Sequence, residues 1–379
     1  MISFELKAEQ KKLQQEFNRL AVILRPLSLK LDAAKPGPID RNYLKIIEEE
    51  NLNSFIIPEE YGGRPVDQLT LSLVMEEISY GCVELASIYS ATVHAISTLL
   101  IGCSPKQKKD FLPLFLRPEG AVASCCITEE KGGSDTASFK TTARQEGKSY
   151  IINGTKGPVV NAGNAAFYIV WASSDTGRGR TGINAFIVPK RTAGITISAY
   201  HDKPGLRCVP TATVFFHNVV VPKSNLIGLP GSGYLLLMQT LDLGRALVGA
   251  ICVGLARAAL EEVVSFAKKR VVASRPIIEN QGISFVLAEL ATEIDAARLL
   301  VWRACRLMDL SMDFTSESSM AKLFASETAA RVTSEGMLIL GQSAYTRPNL
   351  MAKYQRDAQG LQILEGTNQI QKIIIASQL

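Results

Sequence analysis

Apolar residues recur at helical spacing through roughly the first 117 positions, give way near Ala121 to β-branched and aromatic runs, and return to helical spacing at Tyr234. Residues 5–24 carry Leu6, Leu13, Phe17 and Leu20 among Lys, Gln and Glu, which predicts an amphipathic helix that stops before Pro26. A second helix is predicted from Asp40 to about Asn51, and others near 67–80, 84–101 and 105–116. Ser104-Pro105-Lys106-Gln107 opens the last of these as a capping box with proline at the first helical position.

Strands are predicted at 122–128, 149–152, 166–171, 182–188, 195–198 and 213–216, separated by Gly, Asn, Asp and Pro. They make a small domain of antiparallel strands, a barrel or sandwich, and Pro230-Gly231-Ser232-Gly233 marks the return to helix. Tyr234 to Lys269 contains no proline and reads as one or two long helices. Gly244, Gly249 and Gly254 fall every five residues along it, which points to close backbone packing. Further helices are predicted at 282–309, 317–341 and 347–356, then a terminal one. The expected fold class is α+β, with a helical domain over 1–117, a middle antiparallel β domain over 118–228 and a helical bundle over 229–379. The alanine-rich bundle predicts self-association, as a homodimer or homotetramer.

Composition narrows the function classes. With 379 residues, 47% hydrophobic and 20% charged, the chain reads as an ordinary soluble protein. A net charge of +5 with no dense basic block beyond 106–109 and 268–270 argues against nucleic-acid binding. The seven cysteines lack metal-type spacing and read as reduced, buried thiols, while the three histidines are isolated, so no metal site is expected. The N-terminus lacks a basic start followed by an apolar run and no stretch is read as a membrane span, so a cytoplasmic protein without membrane contact is expected.

The chemistry concentrates at Leu361–Lys372. Gly366 frees the backbone, Thr367 is a helix N-cap, and Ile370, Ile373 and Ile374 share one face of a short helix taken to be buried. Glu365 therefore sits on the turn into that helix. In an apolar cleft its carboxylate would be raised toward the range of a general base; in the blander alternative it only complements the positive helix end. The segment Leu-Glu-Gly-Thr-Asn-Gln-Ile-Gln resembles the C-terminal signature of the acyl-CoA dehydrogenase family, in which this glutamate commonly removes the α-proton of an acyl thioester.

Other motifs carry the same resemblance along the whole chain. Thr128-Glu129-Glu130-Lys131-Gly132-Gly133-Ser134-Asp135 is similar to the family's Thr-Glu-Pro-x-x-Gly-Ser-Asp signature, with Glu130 and Lys131 in place of the usual proline and glycine. The resemblance implies that Ile127 and Thr128 touch the flavin ring of FAD and that Ser134 contacts its pyrophosphate. Asn153-Gly154-Thr155-Lys156 through Asn161 resembles the next cofactor motif, but Pro158 stands for an aromatic platform and Val160 for a hydroxyl at the flavin N5 edge. By its residue type, Lys156 reads as a solvated turn lysine. Pro204-Gly205-Leu206-Arg207 resembles a further β-domain segment.

Leu241-Asp242-Leu243-Gly244-Arg245 is similar to the family's long-helix motif near the acyl chain, where Arg245 orients the ligand or merely pairs with Asp242. Gly244 cannot supply the base that some branched-chain members place there. Arg270 and Gln281 match contacts to a neighbouring subunit's FAD, although Ala273-Ser274 replaces Phe-Gly. Thr367 and Gln369 match cofactor contacts, Gly366 lies at the substrate, and Leu338 stands where a glutamine often meets the cofactor.

The resemblance implies an FAD-dependent α,β-dehydrogenation of an acyl thioester. Glu365 takes the α-proton, the flavin takes the β-hydride, and the Glu365 amide with a ribityl hydroxyl holds the carbonyl. An electron-transfer flavoprotein or oxygen then accepts the electrons. Two alternatives stand beside it, a biosynthetic dehydrogenase or oxidase acting on an acyl or aminoacyl group tethered to a carrier protein, and a redox-inactive thioester- or partner-binding member of the fold.

Overall fold

The computed structural model describes residues 5–117, 122–130 and 132–379; residues 1–4, 118–121 and 131 lie outside these. The N-terminal helices are α1 (Ala8–Asp32), α2 (Arg41–Glu49), α3 (Gln68–Gly81), α4 (Val83–Gly102) and α5 (Pro105–Phe111). Local chemistry sets their starts. The Asp40 carboxylate accepts from the Asn42 amide at 2.8 Å, Asp67 accepts from Thr70 at 2.7 Å, and Ser104 with Gln107 forms the expected box.

Two expectations fail here. Helix α1 does not stop before Pro26 but runs through it to Asp32. The carbonyl four residues back that Pro26 cannot satisfy belongs to Val22, which is 68% exposed, so water can serve it. Helix α4 is long and apolar enough to cross a membrane, contrary to the sequence reading, but 78% of that stretch is buried inside the fold. It is a core helix.

The middle region is an eight-stranded sheet of β1 (Ser124–Cys126), β2 (Thr142–Glu146), β3 (Ser149–Val160), β4 (Phe167–Ser173), β5 (Ile183–Pro189), β6 (Ile195–Ile197), β7 (Thr211–Pro222) and β8 (Leu226–Ile227). The strand order is β6-β7-β3-β2-β4-β5-β8, with β1 beside β4. The sheet is mixed rather than wholly antiparallel, because β1 and β2 each meet β4 in parallel. Strand β2 escaped the sequence reading because only Ala143 of its five residues is buried. Strand β3 extends far past its predicted end, through Gly154 and Gly157-Pro158. Register shifts at 152/154 and 156/159 absorb those residues as bulges against β7. Tyr150, Tyr168, Phe186 and Phe216 fill the core on one side of this sheet.

The C-terminal helices are α6 (Gly233–Lys269), α7 (Gln281–Asp309), α8 (Thr315–Leu340), α9 (Leu350–Leu361) and α10 (Asn368–Ala376). Helix α6 is one unbroken helix, and its glycines are approach points. A Cβ at Gly249 would lie 2.9 Å from the Val301 side chain, and one at Gly254 would lie 2.2 Å from the Glu76 carbonyl of α3. One continuous apolar core joins these helices to the N-terminal ones. Helix α10 departs from expectation, since its buried residues are Asn368 and Gln371 while Ile373 is 63% exposed. Its polar side, not its isoleucine face, docks on α8.

Candidate active site

Glu365 lies in the turn between α9 and α10, at φ +53°, followed by Gly366 at φ +88°. Two consecutive left-handed residues reverse the chain sharply, and the non-glycine one costs on the order of 1–3 kcal/mol unless its surroundings fix it. They do. The Lys322 ammonium on α8 donates to the carbonyls of Gln362 and Gly366, both at 3.0 Å, and to Asn368 Oδ1 at 2.8 Å. Gln371 Nε2 donates to the Glu365 and Gly366 carbonyls at 3.1 and 3.0 Å. Lys322 is fully enclosed, and burial pulls its pKa down to about 8 against the favourable fields of Cys252 and Glu365. Thr367 caps α10 as predicted, accepting from the Ile370 amide at 3.4 Å.

The carboxylate itself is 26% exposed, with Oε2 3.5 Å from Nε2 of His94 on α4. His94 is buried, and that nitrogen has no hydrogen-bond partner among the described residues. Arg245 is also buried; it forms an ion pair with Asp242, whose other oxygen accepts from Thr315 Oγ1 at 3.0 Å, yet its Nε is left unpaired. The Cys125 thiol, pushed well up by burial and then by the Glu365 charge, completes the surroundings. The setting of Glu365 is therefore polar, where the sequence reading expected an apolar cleft. The Glu365 amide makes no hydrogen bond among the described residues, so it is free for a substrate carbonyl.

On the flavin side, Ile127 and Thr128 are half-buried where β1 ends. Beneath them lies a correction: Lys156 is not a solvated turn residue but is fully buried, its Nζ 2.8 Å from the Ile127 carbonyl and 2.9 Å from Glu129 Oε1. Glu129 in turn accepts from the Lys140 and Thr141 amides at 2.7 and 3.0 Å. The clamp fixes the strand end from below and leaves its outer edge open. Val160 is half-buried, and its carbonyl is held by Ser124 Oγ. Ser134, Gln281 and Gln369 are exposed.

Arg270 is likewise exposed and, with Lys269, Ser265, Phe266, Ser343 and Glu262, whose carboxylate pairs with Arg25 at 3.5 Å, lines a separate cleft of about 490 Å³ that does not include Glu365. Neither cation there is paired with a carboxylate among the described residues, so the cleft fits a phosphate-bearing group. Leu338 is 74% exposed and takes no part in the site. The β1 edge fits a flavin ring, and the exposed cleft at Arg270 fits the phosphates of an FAD carried by a neighbouring subunit.

The structure thus unites Glu365, Gly366 and Arg245 near Cys125 of β1, keeps Val160 beside β1 through Ser124, puts Thr128 just past the end of that strand, and sets Arg270 in the separate cleft. Sequence reasoning missed His94, Lys322 and the Glu129–Lys156 clamp. A histidine inside the long apolar run of α4 is a signal of sorts; Lys322 in an alanine-rich helix gives none.

The acyl-CoA dehydrogenase N-terminal, middle and C-terminal domain models match residues 7–119, 124–219 and 231–379. The mitochondrial short-chain specific acyl-CoA dehydrogenase of Rattus norvegicus is 37% identical over 355 residues, 93% of this chain and 85% of the relative. The structure of butyryl-CoA dehydrogenase from Megasphaera elsdenii superposes with a TM-score of 0.93 at 32% identity, covering 100% of this chain and 99% of the other. The prolyl acyl carrier protein oxidase AnaB superposes at 0.92 with 26% identity, over 98% of this chain and 99% of the other.

Proposed function

Because the chain belongs to the acyl-CoA dehydrogenase family, we propose that Glu365 is the base in an FAD-dependent α,β-dehydrogenation of a short acyl-CoA thioester. Membership makes the protein an FAD-dependent oxidoreductase acting on the CH–CH bond of acyl thioesters. The observation that carries the residue assignment is the Glu365 turn: a partly exposed carboxylate on a left-handed backbone, held from behind by Lys322 and Gln371, with its own amide unused.

The chain's part in the reaction follows from that geometry. The thioester carbonyl accepts a hydrogen bond from the Glu365 N–H, which stabilises negative charge as it develops on that oxygen. A Glu365 carboxylate oxygen then takes the α-proton, breaking the C–H bond and forming O–H. When bound, FAD supplies the acceptor for the β-hydride. Ile127, Thr128 and Val160 would hold its ring, and Arg270 would meet the phosphates of a neighbouring subunit's FAD. Arg245, neutralised by Asp242, orients the ligand without competing for the base.

A short acyl chain is supported by the rat and Megasphaera relatives and by His94, whose ring occupies the space beside Glu365. A carrier-tethered substrate is the second reading, favoured by the likeness to the prolyl carrier-protein oxidase and by Pro158 and Val160 at the flavin motif. Comparing butyryl-CoA with a butyryl carrier protein separates the two. We further propose reoxidation by an electron-transfer flavoprotein, a cytoplasmic location, and a homodimer or homotetramer covering exposed Phe285, Ile363 and Ile373.

The test of the base is Glu365→Gln. The FAD content should be unchanged, while anaerobic flavin reduction by butyryl-CoA falls about 10²–10⁴-fold, the usual range for a lost general base. Reduction at the wild-type rate would refute the assignment.

A further inference from the structure

We propose that His94 is a positioning residue for Glu365, aiming its Nε2 at the carboxylate, so that the base is a His–Glu unit. This rests on Glu365 being the base. Three observations carry it.

The first is an unmet donor or acceptor. His94 Nε2 is buried and unpartnered, and a buried polar atom without a hydrogen bond costs about 1–3 kcal/mol. Such an atom calls for a reason.

The second is direction. The ion-pair partner that faces Nε2 is Glu365 Oε2, at 3.5 Å. That is too long for a hydrogen bond. It is the loose contact that catalytic groups show before ligand arrives and tighten once the site closes.

The third is room made on the opposite helix. A Cβ at Gly244 of α6 would lie 1.5 Å from Nε2 and 2.5 Å from Cδ2 of the imidazole. No side chain fits at that position while His94 holds its place. Gly244 thus does more than exclude an alternative base; it forms the socket that aims His94 at Glu365.

The chemistry follows from the donor on the ring. An imidazole with its proton on Nε2 donates to Glu365 Oε2 once the site closes, fixing the carboxylate while leaving it basic. In turnover His94 keeps its proton, and the α-proton goes to Glu365 alone. The other titratable groups facing the pair are Arg245 and Asp242 on α6, Lys322 on α8 and Cys125 on β1. Arg245 is already matched by Asp242, and burial keeps Cys125 a neutral thiol, so neither substitutes for His94.

The chain has only three histidines, His94, His201 and His217, so selective ¹⁵N-histidine labelling of the FAD-loaded protein resolves each ring by NMR. His94→Gln identifies the His94 signal by its loss. In the Glu365→Gln protein the His94 ring signals should shift, because the carboxylate that they face is gone, while those of His201 and His217 stay. A His94 signal that is the same in both proteins overturns the pairing. As a second readout, His94→Phe, which fills the space without a donor, should slow flavin reduction by about 10- to 100-fold, the worth of an unmade hydrogen bond at a buried group, while His94→Gln, which keeps a donor, should lose less. Equal rates in the two variants also overturn it. If Glu365→Gln still reduces flavin, the base assignment itself fails; if it does not, and the His94 signals are indifferent to it, only the pairing fails.

Discussion

Helix α4 carries a carboxylate and an imidazole into the interior, Glu84 and His94, and the protein treats them in opposite ways. At Glu84 the carboxylate meets a cation, although its Oε1 lacks a hydrogen bond. Lys353 Nζ lies 2.8 Å from Glu84 and 2.6 Å from Asp357, all three side chains are fully enclosed, Ser28 Oγ donates to Glu84 at 3.0 Å, and Asp357 accepts from the Leu206 amide at 2.6 Å. At His94 the partner is out of hydrogen-bond reach, the neighbouring Arg245 Nε is unpaired, and the carboxylate is partly open to solvent. The first cluster stitches α4, α9 and the loop before β7 into one body. The second is left incomplete, as a site must be that completes itself with a ligand.

Substitutions should break the two clusters differently. The largest effect is Glu365→Gln, which should remove about 10²–10⁴-fold of flavin reduction and leave the thermal midpoint within about a degree, because a partly exposed carboxylate contributes little to folding. Lys353→Met should do the reverse. It leaves Glu84 and Asp357 buried together without a cation, and stranding a buried charge costs about 3–5 kcal/mol. Urea unfolding should show that loss; a midpoint equal to wild type would remove Lys353 from the scaffold.

A smaller effect is expected from Gly244→Ala. Its methyl carbon must displace the His94 ring, an overpacking worth about 1–3 kcal/mol, and the displaced ring can no longer face Glu365. Flavin reduction should fall by about 10- to 100-fold, the same free-energy range, with FAD still bound. Wild-type kinetics in Gly244→Ala would mean that the socket has no role.

The same contrast explains what was legible from the residues alone. Caps, the positions of the helices and the glycine approaches on α6 were readable because they are set by neighbours a few positions away, although the end of α1 was misread at Pro26. The turn at Glu365 was readable too, because Glu-Gly-Thr fixes a turn and a cap within three residues; its reading as a base came from the family resemblance. Strand β2 was not, since a strand with one buried residue has no alternation to detect, and β3 was cut short because Gly154 and Gly157-Pro158 mimic a turn when the bulges that absorb them depend on β7. Lys156, His94 and Lys322 were misjudged or missed for one reason. Each is defined by partners 27 to 271 positions away: Glu129 for the first, Glu365 for the second, and the loop 362–368 for the third. A lysine buried by distant carbonyls looks, in sequence, like any surface lysine.

Lys322 offers the finest test of how the open cluster is held. A protonated ammonium has three donors, and all three are in use, on the Gln362 and Gly366 carbonyls and on Asn368 Oδ1. A neutral amine has two, so above its folded pKa of about 8 one of these anchors must be lost, and the Glu365 turn loosens. Flavin reduction should therefore fall by a few-fold on the alkaline side of pH 8. Global stability should move the other way. The folded pKa lies below the ordinary 10.5, so between about pH 8 and 10.5 the unfolded chain binds this proton more tightly than the folded one, and stability gains from Lys322 as pH rises. Lys322→Met should abolish the alkaline limb while lowering the rate at all pH values. An alkaline limb that persists in Lys322→Met would assign it to another group, and one accompanied by a falling thermal midpoint only in the wild type would contradict the burial of the ammonium.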